Sequence, residues 1–174
     1  GFNYATDLKS RQPGSTIKPI LDYAPAFEFL QWSTYHPLVD EEYQYSSGQT
    51  VGTAYSSYKG QVTLREALYK SYNVPAVKTL QEVGTDKAGE FVNRLGIDFG
   101  EIYESSAIGG VKKGASPLQM AGAYAAFGNE GVYTKPHVIK KIVLRDNDTV
   151  LETAPKSEVA MKDYTAFMIT DILK

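Results

Sequence analysis

A chain of 174 residues, 43% hydrophobic and 22% charged, has the composition of a globular domain and is long enough to bury a core. Its net charge of −2, with lysines and arginines scattered rather than clustered, supports neither a nucleic-acid partner nor a polybasic membrane patch. The lack of cysteine excludes disulfides and thiolate chemistry, no metal-ligand spacing occurs, and no apolar run approaches the roughly 20 residues of a transmembrane span. The chain starts at Gly1 without an initiator methionine and stops at Lys174 inside an apparent helix, which is what an excised fragment would show.

Residues 1 to 14 are polar and turn-rich, and Pro13-Gly14 is a strong turn signal. Ile17, Ile20, Leu21, Ala24 and Phe27 then fall at helical spacing, so a helix is expected to begin close to Ser15. Ser15 and Lys18, three apart, would share one face, with Cβ atoms roughly 5 to 6 Å apart. A serine hydroxyl attacks only after losing its proton, and a lysine removes that proton only when neutral. The positive end of the helix and apolar surroundings would both depress the Lys18 pKa, and free N–H groups there would favour an oxyanion beside Ser15. Pro19 lacks an N–H and clashes with the carbonyl of Ser15, so Ser15 is predicted to sit at the cap or in a tightened first turn. Ser56-Ser57-Tyr58-Lys59 repeats the Ser-x-x-Lys pattern in a Tyr/Ser/Gly-rich stretch without helix signals and is read as coincidence.

Pro25 is expected to kink or end the first helix, with Ala26 to Leu30 as a further turn. Residues 32 to 59 show no sustained period, and a loop of that length either walls a groove or is an ordinary surface excursion. Thr63-Leu64-Arg65-Glu66 is a capping box opening a short helix. Pro75 suits the first position of the next helix, which continues through Val77 and Leu80 to Gly84. That leaves Ser71-Tyr72-Asn73 as a corner whose side chains can enter a cleft: a hydroxyl able to relay a proton, and an amide able both to donate and to accept. A helix C-cap is the plainer role for Asn73. Thr85 to Leu95, closed by Gly96, reads as a helix capped by Thr85 or Asp86. Gly109-Gly110 and Lys112-Lys113-Gly114 mark a loop, after which Ser116-Pro117-Leu118-Gln119 opens a small-residue helix expected to be central and buried. Val138 to Leu144 and Thr149 to Glu152 suggest a β-hairpin around residues 145–148, and residues 163–174 a final helix. His36 and His137 adjoin prolines in loop-like sequence, a poor setting for a Ser-His-Asp triad.

Three extended blocks occur in order: Arg11-Gln12-Pro13-Gly14-Ser15-Thr16-Ile17-Lys18-Pro19, then Ser71-Tyr72-Asn73-Val74-Pro75-Ala76-Val77, then Gly114-Ala115-Ser116-Pro117-Leu118-Gln119-Met120-Ala121 with Gly131-Val132-Tyr133-Thr134-Lys135-Pro136. Together they resemble the transpeptidase domain of class A penicillin-binding proteins over nearly the whole chain. The resemblance implies an α/β fold of the penicillin-binding-protein/serine β-lactamase type, with Ser15 as acylated nucleophile, Lys18 as its base, Ser71 passing a proton to the leaving amine and Asn73 holding the donor peptide. It implies a peptidoglycan stem peptide ending in D-Ala-D-Ala as substrate, β-lactams as acylating inhibitors, no cofactor and no metal, and a parent protein anchored at the extracytoplasmic face of the bacterial membrane.

The family's third motif, Lys-Thr/Ser-Gly, is missing, because Lys78-Thr79-Leu80 and Lys156-Ser157-Glu158 lack the glycine. Residues 1–174 are therefore expected to be an incomplete transpeptidase domain, mainly its helical part with most of the central sheet missing. The remainder of the domain, in the same chain or a separate one, would be needed for turnover. A D,D-carboxypeptidase or β-lactamase-type hydrolase shares the acylation step, although the Glu-x-x-Leu-Asn segment of class A β-lactamases does not follow Asn73. A non-catalytic β-lactam sensor on the same scaffold is the third reading.

Overall fold

The computed structural model describes residues 1–7, 11–145, 150–153 and 155–174. The first helical segment is irregular in the way Pro19 demands. Gly14–Ile17 is a 3₁₀ turn, Pro19–Tyr23 follows as a π-helix, and only Ala24–Leu30 is regular α-helix (α1). Ser15 thus lies in a tightened first turn, with the Lys18 N–H donating to the Ser15 carbonyl in place of the bond that Pro19 cannot make. Pro25 does not end the segment; it sits in the first turn of α1, where its missing N–H costs nothing. Gln31, at φ 54°, closes it in left-handed geometry.

This segment is the centre of the molecule. Ile17, Ile20, Leu21, Tyr23, Ala24, Ala26 and Phe27 are all fully buried. A helix apolar on every side must be surrounded, and the elements around it are α2 (Leu64–Tyr69), α3 (Asn73–Val83), α4 (Thr85–Arg94) and α6 (Asp163–Ile172). α5 (Pro117–Gly128) packs on α6 and was the helix expected at the centre. It is instead half-buried: Gly122, Ala123, Ala126 and Phe127 face inward, while Leu118, Ala121 and Ala125 are exposed. Its small residues serve a close one-sided approach, with a Cβ on Gly122 falling 2.8 Å from Pro136.

The sheet content is three separate antiparallel pairs: β1 (Pro37–Asp40) with β2 (Gly60–Thr63), β3 (Val132–Thr134) with β6 (Ser157–Val159), and β4 (Lys141–Val143) with β5 (Val150–Glu152). The last is the expected hairpin, of whose turn only Arg145 lies within the described residues. β1 and the β3–β6 pair escape a periodicity reading because each strand is only 3 or 4 residues long. Helix starts follow their caps. Thr63 Oγ1 accepts from the Glu66 N–H at 3.1 Å, and Ser116 and Gln119 form a full reciprocal box. Only half of the expected box at Thr63 forms, since the Glu66 carboxylate accepts from the Tyr72 phenol instead. α4 is capped by Gly84 without a side-chain bond, rather than by Thr85 or Asp86.

Candidate active site

The first half of the site is the turn bearing Ser15, which is held from outside. Gln12 makes a reciprocal pair with the backbone of Val111, donating through Nε2 at 2.8 Å and accepting through Oε1 at 3.0 Å. Gly109, at φ 98°, lies so close that a Cβ there would stand 2.5 Å from the backbone of Gly14. From α5 the Tyr124 hydroxyl donates to the Thr16 carbonyl at 2.8 Å. Ser15 projects from this clamp exposed to solvent; a cavity of about 150 Å³ bordered by Arg11, Gln12, Thr16 and Met120 touches the same turn but is not lined by Ser15.

The second half is the corner between α2 and α3, and its geometry is a helix-stop motif. The Ser71 N–H donates to the Leu68 carbonyl and the Tyr72 N–H to the Ala67 carbonyl, each at 2.9 Å. Those two bonds define a Schellman ending with Ser71, at φ 61°, in the left-handed position that glycine usually fills. Asn73 is not a C-cap: it is the first residue of α3, and Pro75 occupies the third position rather than the first. Both placements put the Pro75 nitrogen within the turn whose N–H groups have no helical acceptor.

Lys18 joins the halves. Its side chain is fully buried, and Nζ reaches the Ser71 carbonyl at 2.7 Å, Ser71 Oγ at 3.0 Å, Asn73 Oδ1 at 2.7 Å and the Tyr72 carbonyl at 3.3 Å. Four partners surround three hydrogen-bonding positions: an ammonium donates from all three, while a neutral amine donates from two and accepts one bond from the Ser71 hydroxyl, so the cradle can hold either form. Burial lowers the Lys18 pKa to about 8, against the opposing charge of Asp22. Among the described residues Ser15 has no side-chain hydrogen bond: the Lys18 amine points to the corner, one helical turn from the serine.

The long loop between β1 and β2 borders this corner. The Gly52 carbonyl accepts from Asn73 Nδ2 at 2.7 Å, the Tyr55 hydroxyl donates to the Lys70 carbonyl at 2.6 Å, and the Tyr55 ring meets Tyr72 edge-on at 5.1 Å. On the same loop Lys59 is exposed, over the ring of Tyr55 and with its Nζ 3.5 Å from Ser57 Oγ, and Ser56 is exposed as well, so the second Ser-x-x-Lys is a surface feature. His36 stacks on Trp32 at 3.7 Å, and His137 Nδ1 lies 3.4 Å from the Lys135 carbonyl. Lys78 pairs with Glu41, and Ser157 meets Thr134 across β3 and β6. Among the described residues no group of three or more His, Asp or Glu side chains could hold a metal, and no helix is long and apolar enough to cross a membrane. Gln12, Tyr124 and the Gly52 carbonyl carry no sequence signal of their own, and the left-handed turn at Ser71 carries none either, because glycine rather than serine is the usual mark of that position.

Comparison with known proteins bears on the whole chain. The model of the penicillin binding protein transpeptidase domain matches residues 3–174. The chain is 51% identical, over its full length, to 19% of penicillin-binding protein 1A/1B of Bacillus subtilis (strain 168). It is 44% identical, again over its full length, to 28% of penicillin-binding protein 1A of Streptococcus oralis. It therefore spans less than a third of either relative. Among solved structures, penicillin-binding protein 1A of Haemophilus influenzae superposes on 99% of the chain and 30% of its own length, with a TM-score of 0.84 and 26% identity. Penicillin-binding protein A of M. tuberculosis, solved as a penicillin G acyl-enzyme complex, shares the fold at a TM-score of 0.87 over 98% of this chain and 44% of its own, with 21% identity. These neighbours share the fold expected from the sequence, and this chain contributes to it helices and three short antiparallel strand pairs. The chain belongs to the penicillin-binding protein transpeptidase family, among relatives of the class A, 1A/1B kind.

Proposed function

We propose that this chain is the acylating part of a serine D,D-transpeptidase that cross-links peptidoglycan stem peptides and is acylated by β-lactams. The observation that carries the reading is the Lys18 amine, sealed in the core and cradled between Ser71 and Asn73 one helical turn from an exposed serine. In the forward step Ser15 Oγ attacks the carbonyl of the penultimate D-alanine while its proton passes to neutral Lys18. The tetrahedral adduct then expels the terminal D-alanine. Its C–N bond breaks, and the leaving nitrogen takes the proton from Lys18 through the Ser71 hydroxyl, which lies 3.0 Å from Nζ. Asn73 accepts from Lys18 and gives one amide N–H to Gly52, leaving its second N–H for the donor peptide. An amine of a neighbouring strand then attacks the acyl-enzyme and returns the serine proton by the same route.

Residues 1–174 make an incomplete domain in this reading. Ile142, Val143, Val150, Leu151 and Val159 are exposed along the short strands, which suits a surface that further sheet covers. The chain by itself is accordingly inactive, and the remainder of the domain completes the groove. The longer relatives support placing the parent protein at the outer face of the cell membrane.

The test is to supply the completed domain with a D-Ala-D-Ala thioester or amide donor and an added D-amino acid. Transfer of the acyl group to the amine supports the transpeptidase. Release of the free acid alone would assign a D,D-carboxypeptidase, and a stable penicillin adduct without turnover of the donor would assign a sensor.

A further inference from the structure

Asp22 is the one buried acid without an assigned task on the central segment. Its side chain is fully buried, and among the described residues neither carboxylate oxygen has a hydrogen-bond partner. Buried carboxylates are nearly always hydrogen-bonded or paired, so an orphaned one calls for a reason. Asp22 stands one helical turn beyond Lys18, within the π-helical stretch that follows Pro19. Building on the reading of Lys18 as the base, we propose that Asp22 is a positioning residue that titrates as a pair with Lys18, so that the state of its carboxyl group sets the pH at which the amine becomes the neutral base.

The physics is that of two ionisable groups buried one helical turn apart, the amine in a polar cradle and the carboxyl without a partner. A carboxylate there favours the ammonium through space, without a direct ion pair, and a carboxylic acid does not. Lys18 is the ionisable group that acts on Asp22, while burial raises the Asp22 pKa well above its usual range and so toward that of the amine. The groups on neighbouring elements are engaged elsewhere. Lys78 of α3 binds Glu41 and Glu82 faces solvent, and every charged side chain of α4 is exposed. From α2, Arg65 pairs with Asp171 and Glu66 takes the Tyr72 phenol. The phenol of Tyr23, also buried without a partner, is pushed well up by burial first, then by the neighbouring Asp22 and then by Asp40 of β1. Two groups coupled in this way lose their protons in steps that belong to the pair, so the acid limb of acylation reports both.

The experiment compares the pH dependence of acylation by a labelled penicillin in the completed domain and in its Asp22→Asn variant. Loss of the buried counter-charge one helical turn from Lys18 destabilises the ammonium, so the variant's acid limb moves to lower pH by about one unit or more, with the high-pH plateau kept within about threefold. An unmoved limb, or a loss of rate equal at every pH, overturns the proposal and leaves Asp22 a structural residue. A second readout is independent of the acylation chemistry and, in the unaltered protein, of any variant's folding: the ¹³C resonance of the Asp22 carboxyl, followed against pH there and in Lys18→Met. Titration well above the ordinary aspartate range, moving higher still when the lysine charge is gone, supports the pair. Titration near the ordinary aspartate value, or at a pH indifferent to Lys18→Met, contradicts it, even if Ser15 proves not to be the nucleophile.

Discussion

At Lys18 the chemistry rests on a charge that the protein disfavours. With a pKa of about 8, about a tenth of the amines are neutral at pH 7, and acylation should climb with pH until the amine is fully deprotonated. Lys18→Arg keeps a permanent cation in the cradle and is expected to slow acylation by at least about 10²-fold across the whole range. The same shift acts on stability. Between about 8 and the ordinary 10.5 the unfolded chain holds the lysine proton and the folded one does not, so stability relative to Lys18→Met should rise with pH in that window. Denaturant melts of both proteins at several pH values check the sign. At Ser71 the left-handed backbone is strained for any residue with a Cβ. Ser71→Gly loses the hydroxyl but relaxes the backbone, whereas Ser71→Ala loses the hydroxyl and keeps the strain. The glycine variant should therefore be the more stable by about 1 kcal/mol, while both lose the relay and slow the release of the leaving amine. Equal stabilities would show that the φ of Ser71 carries no strain.

Among the elements, the irregular first helix decides how serine and lysine are presented, and the sequence announces it through Pro19. The tightened turn at Ser15 was legible for that reason; the π-helix after it was not, because no residue pattern marks a bond reaching five residues back. Holding such a turn takes partners from distant chain, of which Tyr124 is the clearest. Its hydroxyl satisfies the Thr16 carbonyl across 108 residues, and burial pushes its pKa up to about 12, so it stays a donor at every working pH. Tyr124→Phe should cost about 1 kcal/mol and slow acylation a few-fold without changing the position of the acid limb, because the variant loosens the serine turn and leaves Lys18 untouched. Differential scanning calorimetry and the acylation profile measure the two effects. The Ser71 corner shows the reverse case. Its existence followed from the two helices flanking it, but the exchange of roles between Ser71 and Asn73, one ending α2 and the other starting α3, depends on tertiary contacts with Lys18 that local signals do not encode.

At the scale of the molecule, the helical layer and the positions of Ser15, Lys18, Ser71 and Asn73 within motifs could be read directly, since long periodic segments and extended motif blocks speak for themselves. Which helix lies at the centre could not. Small residues made α5 look central, yet the segment with Tyr23 and Phe27 is the one enclosed, because burial depends on what surrounds a helix and not on its own composition. The short strand pairs were partly hidden for the same reason: strands of three or four residues take their identity from partners far along the chain. The central claim is that these parts converge on one nucleophile. It is tested most directly by incubating the completed domain with a labelled penicillin, digesting it and locating the added mass. The expected result is a durable adduct on Ser15, lost in Ser15→Ala. An adduct on Ser56, Ser71 or any other residue, or none at all on a folded protein, would contradict it.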